Sequence, residues 1–147
     1  MITLIVLLVS YMALALFKIE KGLRGRLSLA VLLIFTGTAH FYKQHEMTMM
    51  LPDFVSYKSE VIYTTGALEL LGAIGILIPR VRRLAGICPI LMFVGFLPAN
   101  VYAAFKYVDL GGHAYGPKYL LFRLPLQLFF IWWTYRYAIH LANARNR

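Results

Sequence analysis

The sequence predicts an all-α transmembrane helical bundle: four core helices plus an extra N-terminal transmembrane helix. Three observations carry that expectation. Hydrophobic residues make up 61% of the 147 residues, and the mean hydropathy is +0.69. A water-soluble chain runs nearer half apolar, so this one has more apolar surface than a soluble fold of its size can hide. The apolar residues collect into five runs, Met1–Phe17, Leu27–Tyr42, Val61–Ile78, Leu84–Phe105 and Tyr119–Ile139. At ~1.5 Å per residue each is long enough, or nearly so, to cross a hydrocarbon core of ~30 Å. Finally, the basic residues flank these runs and alternate between the two sides. Residues 1–147 therefore read as a single integral membrane domain with no room for a soluble domain beside it.

The net charge of +9 resembles a nucleic-acid signal, but its distribution excludes that partner. Lys18, Lys21, Arg24 and Arg26 follow the first run, Arg80, Arg82 and Arg83 follow the third, and Arg136, Arg145 and Arg147 close the last. The intervening connections are balanced: Lys43 and Lys58 stand against Glu46, Asp53 and Glu60, and Lys106 and Lys118 against Asp109. Basic-rich and neutral connections alternate as five crossings require. The positive-inside rule then puts the C-terminus in the cytoplasm and the N-terminus outside, in a multi-pass protein of the inner (plasma) membrane. Trp132, Trp133, Tyr135 and Tyr137 fall near the inner end of the fifth run, where an aromatic belt is expected.

The first run has a second reading. Ala13-Leu14-Ala15 has the form of a signal-peptide cleavage site. The run lacks a basic start, however, and its charges follow it, which favours a retained helix. Between the second and third runs, 43–60 reads KQHEMTMMLPDFVSYKSE. It is too apolar for a free loop and too short to cross, so residues 46–55 are expected as an interfacial or re-entrant piece broken at Leu51-Pro52.

The chemistry lies within the runs. Glu69 stands in the middle of Val61–Ile78. A lone acid at that depth costs roughly 2.5–3.5 kcal/mol on insertion scales and needs a partner or a function. Counting from the outer ends at the helical rise, His40 is ~3 Å deep, Thr65 and Arg123 ~6 Å, Asn100 ~8 Å, and Glu69 and Gln127 ~12 Å. The intramembrane polar groups thus gather in the outer half. Thr65 and Glu69 are spaced i,i+4, as are Arg123 and Gln127, so each pair forms a one-turn polar stripe. The expected pairing is Glu69 with Arg123, directly or through Gln127 or Asn100, because an unpaired charge in lipid costs far more than a paired one. Pro98 and Pro125 are expected to interrupt their helices and free carbonyls beside these groups. Two roles fit: a network that only fixes helix register, or an outward-opening site for a lipophilic or anionic small molecule, with Arg123 as anchor and Glu69 as candidate proton acceptor. His40, Thr65, Glu69, Asn100, Arg123 and Gln127 are the ligand-binding candidates.

The motifs themselves are similar to those of a known family. TGxxELLGAIGILIPRVRRLA at Thr65–Ala85, GxxHF at Gly37–Phe41, Leu51-Pro52, Phe96-Leu97-Pro98-Ala99-Asn100 with Tyr102, and Arg123-Leu124-Pro125-Leu126-Gln127 before Trp132-Trp133 together resemble the DoxX-like membrane proteins. The resemblance spans about Ser28 to Tyr137 and implies a four-helix membrane bundle, to which Met1–Phe17 is an addition. It also implies a small membrane subunit linked to quinone-coupled oxidation of sulfur compounds or to redox defence. By position, it carries over the polar set His40, Glu69, Asn100, Arg123 and Gln127. Related thiol-redox bundles carry cysteine pairs, whereas Cys88 is the single cysteine here, which argues against disulfide exchange.

Other features read more simply. His45, Met47, Met49 and Met50 offer soft ligands suited to Cu(I), but their spacing matches no defined site and packing explains them better. No metal is therefore assigned. Cys88 reads as a small hydrophobe and Gly111-Gly112-His113 as a turn. No self-contained catalytic motif appears, so no catalytic residue is assigned and no cofactor is intrinsic. The expected function is an accessory subunit that binds a quinone or other lipophilic molecule and serves a redox protein partner. The alternatives are a non-catalytic assembly or chaperone-like membrane protein whose polar network is structural, and a small enzyme or carrier with Glu69 as base; the expected protein partner is a redox protein or a further copy of the chain in a homo-oligomer.

Overall fold

The computed structural model describes residues 2–108 and 113–140. Every regular element among them is helical. In order these are α1 (Ile2–Leu16), α2 (Lys21–Tyr42), a short α3 (Gln44–Thr48), α4 (Lys58–Leu77), α5 (Arg82–Phe105) and α6 (Leu120–Thr134). A 3-10 segment, His113–Tyr119, leads into α6, and a π-helical turn, Tyr135–His140, carries it onward. Asp109, Gly111-Gly112, Arg145 and Arg147 lie outside the described residues. Three helices, α2, α4 and α5, are long and apolar enough to cross a membrane, while α1 is apolar but shorter.

Helix ends follow local chemistry. Ile78 is extended (φ −87°, ψ 116°), as the residue before Pro79 is steered to be, and α4 stops there. The helices also reach past their apolar runs: α2 begins at Lys21 and α4 at Lys58. Lysine and arginine are good helix formers, so the backbone spiral continues where the hydrophobic stretch has ended. The expectation that Pro98 and Pro125 interrupt their helices fails. α5 runs unbroken through Pro89 and Pro98, and α6 through Pro125. Each proline removes one N–H, a loss that packed neighbours and polar side chains make tolerable.

α2 lies between α1 and α4, α4 between α2 and α5, and α6 packs on α5 with its π-helical end reaching α2. The core gathers Leu29, Leu32 and Leu33 of α2, Ala73 and Ile76 of α4, and Leu126 and Phe130 of α6. Leu7 brings α1 into it. Trp133 belongs to this core rather than to an aromatic belt. It is 6% exposed and donates Nε1–H to the Gly25 carbonyl at 3.2 Å, while Trp132 and Tyr135 remain exposed. Outward-facing Leu71, Ile74, Leu91 and Leu128 leave a broad apolar exterior.

The α2–α4 crossing is close because glycines face each other. A β-carbon on Gly66 would stand 2.7 Å from His40 Cβ and 3.1 Å from the Gly37 carbonyl oxygen; one on Gly37 would stand 3.1 Å from the Gly66 carbonyl oxygen. This crossing sets the position of the site.

Candidate functional site

Two polar clusters occupy the region between the helices. The first straddles the α2–α4 crossing. His40, near the end of α2, accepts burial because its Nδ1–H donates to the Thr36 carbonyl at 2.8 Å. That contact fixes the proton on Nδ1, since a carbonyl oxygen can only accept, and leaves Nε2 as the basic nitrogen. Glu69 Oε2 approaches the same Nδ1 at 3.8 Å, within ion-pair range but beyond hydrogen-bond length. Glu69 is 2% exposed, and its Oε2 has no hydrogen-bond partner. Thr36 is its other polar neighbour. The Thr36 hydroxyl is a side-chain hydrogen-bond partner of the Glu69 carboxyl group and also reaches the Leu32 carbonyl at 3.0 Å, so the oxygen left without a partner is Oε2.

The second cluster centres on Asn100 of α5. Its Oδ1 accepts from Arg123 Nε at 3.2 Å and lies 3.1 Å from His113 Nε2. Its Nδ2 donates to the Phe96 carbonyl at 2.7 Å and faces Gln127 Oε1 at 3.4 Å. Gln127 in turn donates Nε2–H to the Phe93 carbonyl. Tyr119 is a further side-chain partner of the half-buried Arg123, and its ring meets His113 edge-on at 4.9 Å. Asn100, His113 and Gln127 are all buried. One amide thus ties α5 to α6 and to the 3-10 segment. The carbonyls it and Gln127 engage, those of Phe96 and Phe93, both belong to α5.

Phe96 joins the clusters. Its ring stacks on the His40 imidazole at 6.0 Å and 29°, while its own carbonyl receives Asn100. The expected Glu69–Arg123 pairing is therefore replaced by two separate partnerships, Glu69 with His40 and Arg123 with Asn100. The reason is the packing order: α4 is flanked by α2 and α5, so the residue opposite Glu69 comes from α2. Thr65 joins neither cluster. Its hydroxyl donates back to the Val61 and Ile62 carbonyls of its own helix, both at 2.9 Å. His113 and Thr36 were missed as site residues. His113 sits among turn-forming glycines in the sequence, and only the fold-back of the 3-10 segment against α5 buries it.

The connection between α3 and α4 is tied to the bundle beside these clusters. Tyr102 of α5 donates its hydroxyl to Asp53 Oδ2 at 2.9 Å, and Lys58 Nζ reaches Asp53 Oδ1 at 3.3 Å and the Leu51 carbonyl at 3.0 Å. The Tyr102 hydrogen bond, followed by the Lys58 hydrogen bond and charge, holds the Asp53 carboxyl below its ordinary value. His45 and Met49 lie exposed on and just after α3. Among the described residues, no group of three or more His, Cys, Asp or Glu is placed to hold a metal ion.

Residues 29–138, three-quarters of the chain and nearly all of the bundle, match a domain of unknown function, DUF8561. The chain belongs to the DUF8561 family. No curated protein and no solved structure matches it. Both clusters of this DUF8561 chain, from Thr36 to Gln127, fall inside the matched segment, whereas α1 lies before it.

Proposed function

We propose that this protein is an integral membrane bundle of four core helices with an added N-terminal helix. It docks a lipophilic small molecule with a hydrogen-bonding headgroup, of the quinone–quinol class, at the His40–Glu69 pair, and serves a redox partner in the membrane. The observation that carries this reading is the Glu69 carboxyl group. A buried acceptor without a hydrogen bond forfeits about 1–3 kcal/mol, more if charged, and a folded chain seldom leaves one unless a ligand completes it. Three membrane-length helices, the apolar exterior and the basic connections support the bilayer as solvent. The alternating charges support an outside N-terminus and a cytoplasmic C-terminus. The DoxX-like motifs support the ligand class and the redox partner.

Each residue's part follows from its contacts. A quinol headgroup supplies a hydroxyl donor that suits the open Glu69 Oε2. Glu69 holds that hydroxyl and acts as proton acceptor. His40, with Nδ1–H committed to Thr36, keeps Nε2 free to take up a proton, and its cationic form balances the Glu69 charge at 3.8 Å. Phe96 offers a ring face beside the imidazole. Arg123, Asn100 and Gln127 hold the neighbouring wall.

The second reading, a structural network in a non-catalytic assembly protein, draws on the Asn100 cluster, whose hydrogen bonds are complete and link three elements. Thermal melting in detergent with a short-tailed quinol separates the two. The ligand is expected to raise the melting temperature of the native protein and to leave a folded Glu69→Gln variant unmoved. A native protein that no quinone or quinol stabilises would sink the docking reading and leave the structural one.

A further inference from the structure

The opposite end of the bundle carries a different chemistry. The start of α2, the turn between α4 and α5, and the π-helical end of α6 meet there with the second half of α1. Tyr11 of α1 and Tyr137 of the π-helical turn bring their hydroxyl groups within 3.4 Å of each other. The Arg24 guanidinium lies over the Tyr11 ring, 4.5 Å from its centroid. Arg24 and Arg136 both stand within electrostatic range of the Tyr137 hydroxyl. The Tyr137 ring fits this place because Gly25 has no side chain: a β-carbon there would overlap it. Trp133 closes the floor, edge-on to Tyr11 at 5.1 Å and bonded to the Gly25 carbonyl.

Among the described residues, basic side chains here outnumber carboxylates. The Arg24 Nε–H is buried without a hydrogen-bond acceptor. Glu20 is the one carboxylate near the start of α2, against Lys18, Lys21, Arg24 and Arg26 on the same stretch and Arg80, Arg82 and Arg83 on the adjoining turn. A guanidinium fork beside two neighbouring phenolic hydroxyls, with a second guanidinium in electrostatic range, suits a tetrahedral oxyanion, which accepts several hydrogen bonds at once. Basic pockets between helices at the cytoplasmic side are where anionic lipid headgroups settle.

We infer that Arg24, Arg136, Tyr11 and Tyr137 form a binding site for the phosphodiester headgroup of an anionic phospholipid at the inner end of the bundle. The guanidinium groups take the phosphate oxygens and the hydroxyls complete the shell. The acyl chains lie along the exposed apolar residues of α1 beside Tyr11, such as Leu8 and Met12. The inference rests on the membrane placement proposed above and is independent of Glu69 and of any quinone.

The test is thermal melting of the purified full chain in neutral detergent with added phosphatidylglycerol, phosphatidylcholine or inorganic phosphate, each in turn. Phosphatidylglycerol is expected to raise the melting temperature well beyond phosphatidylcholine, and phosphate alone to have little effect. Arg136→Gln, at an exposed position, and Arg24→Gln are each expected to halve the phosphatidylglycerol effect at least. Arg24→Lys, which keeps charge but loses the fork, is expected to restore it in part. Equal stabilisation by both lipids, an equal effect of free phosphate, or an undiminished effect in both glutamine variants would each overturn the inference. Chain that is soluble and folded without detergent would instead remove the membrane placement itself.

Discussion

Gly66→Ala tests whether the glycine crossing positions the His40–Glu69 pair. The new methyl carbon would stand 2.7 Å from His40 Cβ, 3.1 Å from the Gly37 carbonyl oxygen and 3.1 Å from Phe41 Cε2. Carbon atoms pack at about 3.5–4.0 Å, so the shortest of these contacts must lengthen by about 1 Å. Two of the three atoms are a backbone oxygen and a Cβ, which cannot swing aside, so α2 and α4 must part. Overpacking of this kind costs about 1–3 kcal/mol. At ~2–4 °C per kcal/mol for a chain of this size, the melting temperature should fall by several degrees. The same displacement carries His40 Nδ1 and Glu69 Oε2, now at 3.8 Å, out of ion-pair range. Histidine NMR titration reads that directly. In the native background Glu69→Gln should shift the His40 titration midpoint, and in the Gly66→Ala background it should not. An unchanged melting temperature together with a preserved Glu69 effect on His40 would refute the claim that this crossing sets the pair.

Three further outcomes follow from the contacts. Asn100→Ala removes the partner that Arg123, His113 and Gln127 share; at about 1–3 kcal/mol for a lost buried hydrogen-bond partner it should lower the melting temperature clearly, and a loss below about 1 kcal/mol would mean that the neighbours' other contacts suffice without Asn100. Trp133→Phe removes the hydrogen bond to Gly25, costing about 1 kcal/mol beyond the lost ring volume, and should expose the α1–α2 contact to earlier proteolysis. Asp53 gives a pH dependence of known sign: its folded value is lowered, chiefly by Tyr102, so its stabilising effect is present above the ordinary carboxylate value near 3.8 and is lost as pH falls through the lower folded value. Tyr102→Phe should therefore melt below the native protein at neutral pH and converge with it in acid; a gap independent of pH would refute the linkage.

How much was legible in the sequence differs between the helices and the site. Long apolar runs with basic ends are a one-dimensional property, so the segments that became α2, α4 and α5 were visible from hydropathy alone. The same property misplaced their starts at Lys21 and Lys58, because helical hydrogen bonding does not need an apolar side chain. Counting depth brought Glu69, Asn100, Arg123 and Gln127 to similar levels, but depth says nothing of which way a residue points around its helix. Glu69 consequently received Arg123 as its expected partner, when the neighbour of α4 on that side is α2 and the partner is His40. Thr65 shares a stripe with Glu69 and still turns its hydroxyl onto its own backbone. His113 left no periodic signal, since a single histidine beside glycines reads as a turn until the 3-10 segment folds back on α5.

Phe96 has an implication for how this bundle can change over generations. It serves one cluster with its ring and the other with its carbonyl oxygen. Side-chain substitution can abolish the first link but not the second, because every amino acid brings the same carbonyl. Mutation at this position therefore acts on His40 while sparing Asn100. A lineage can change the surroundings of the His40–Glu69 pair through residue 96 without loosening the contact that ties α5 to α6, so the two halves of the polar interior can vary separately.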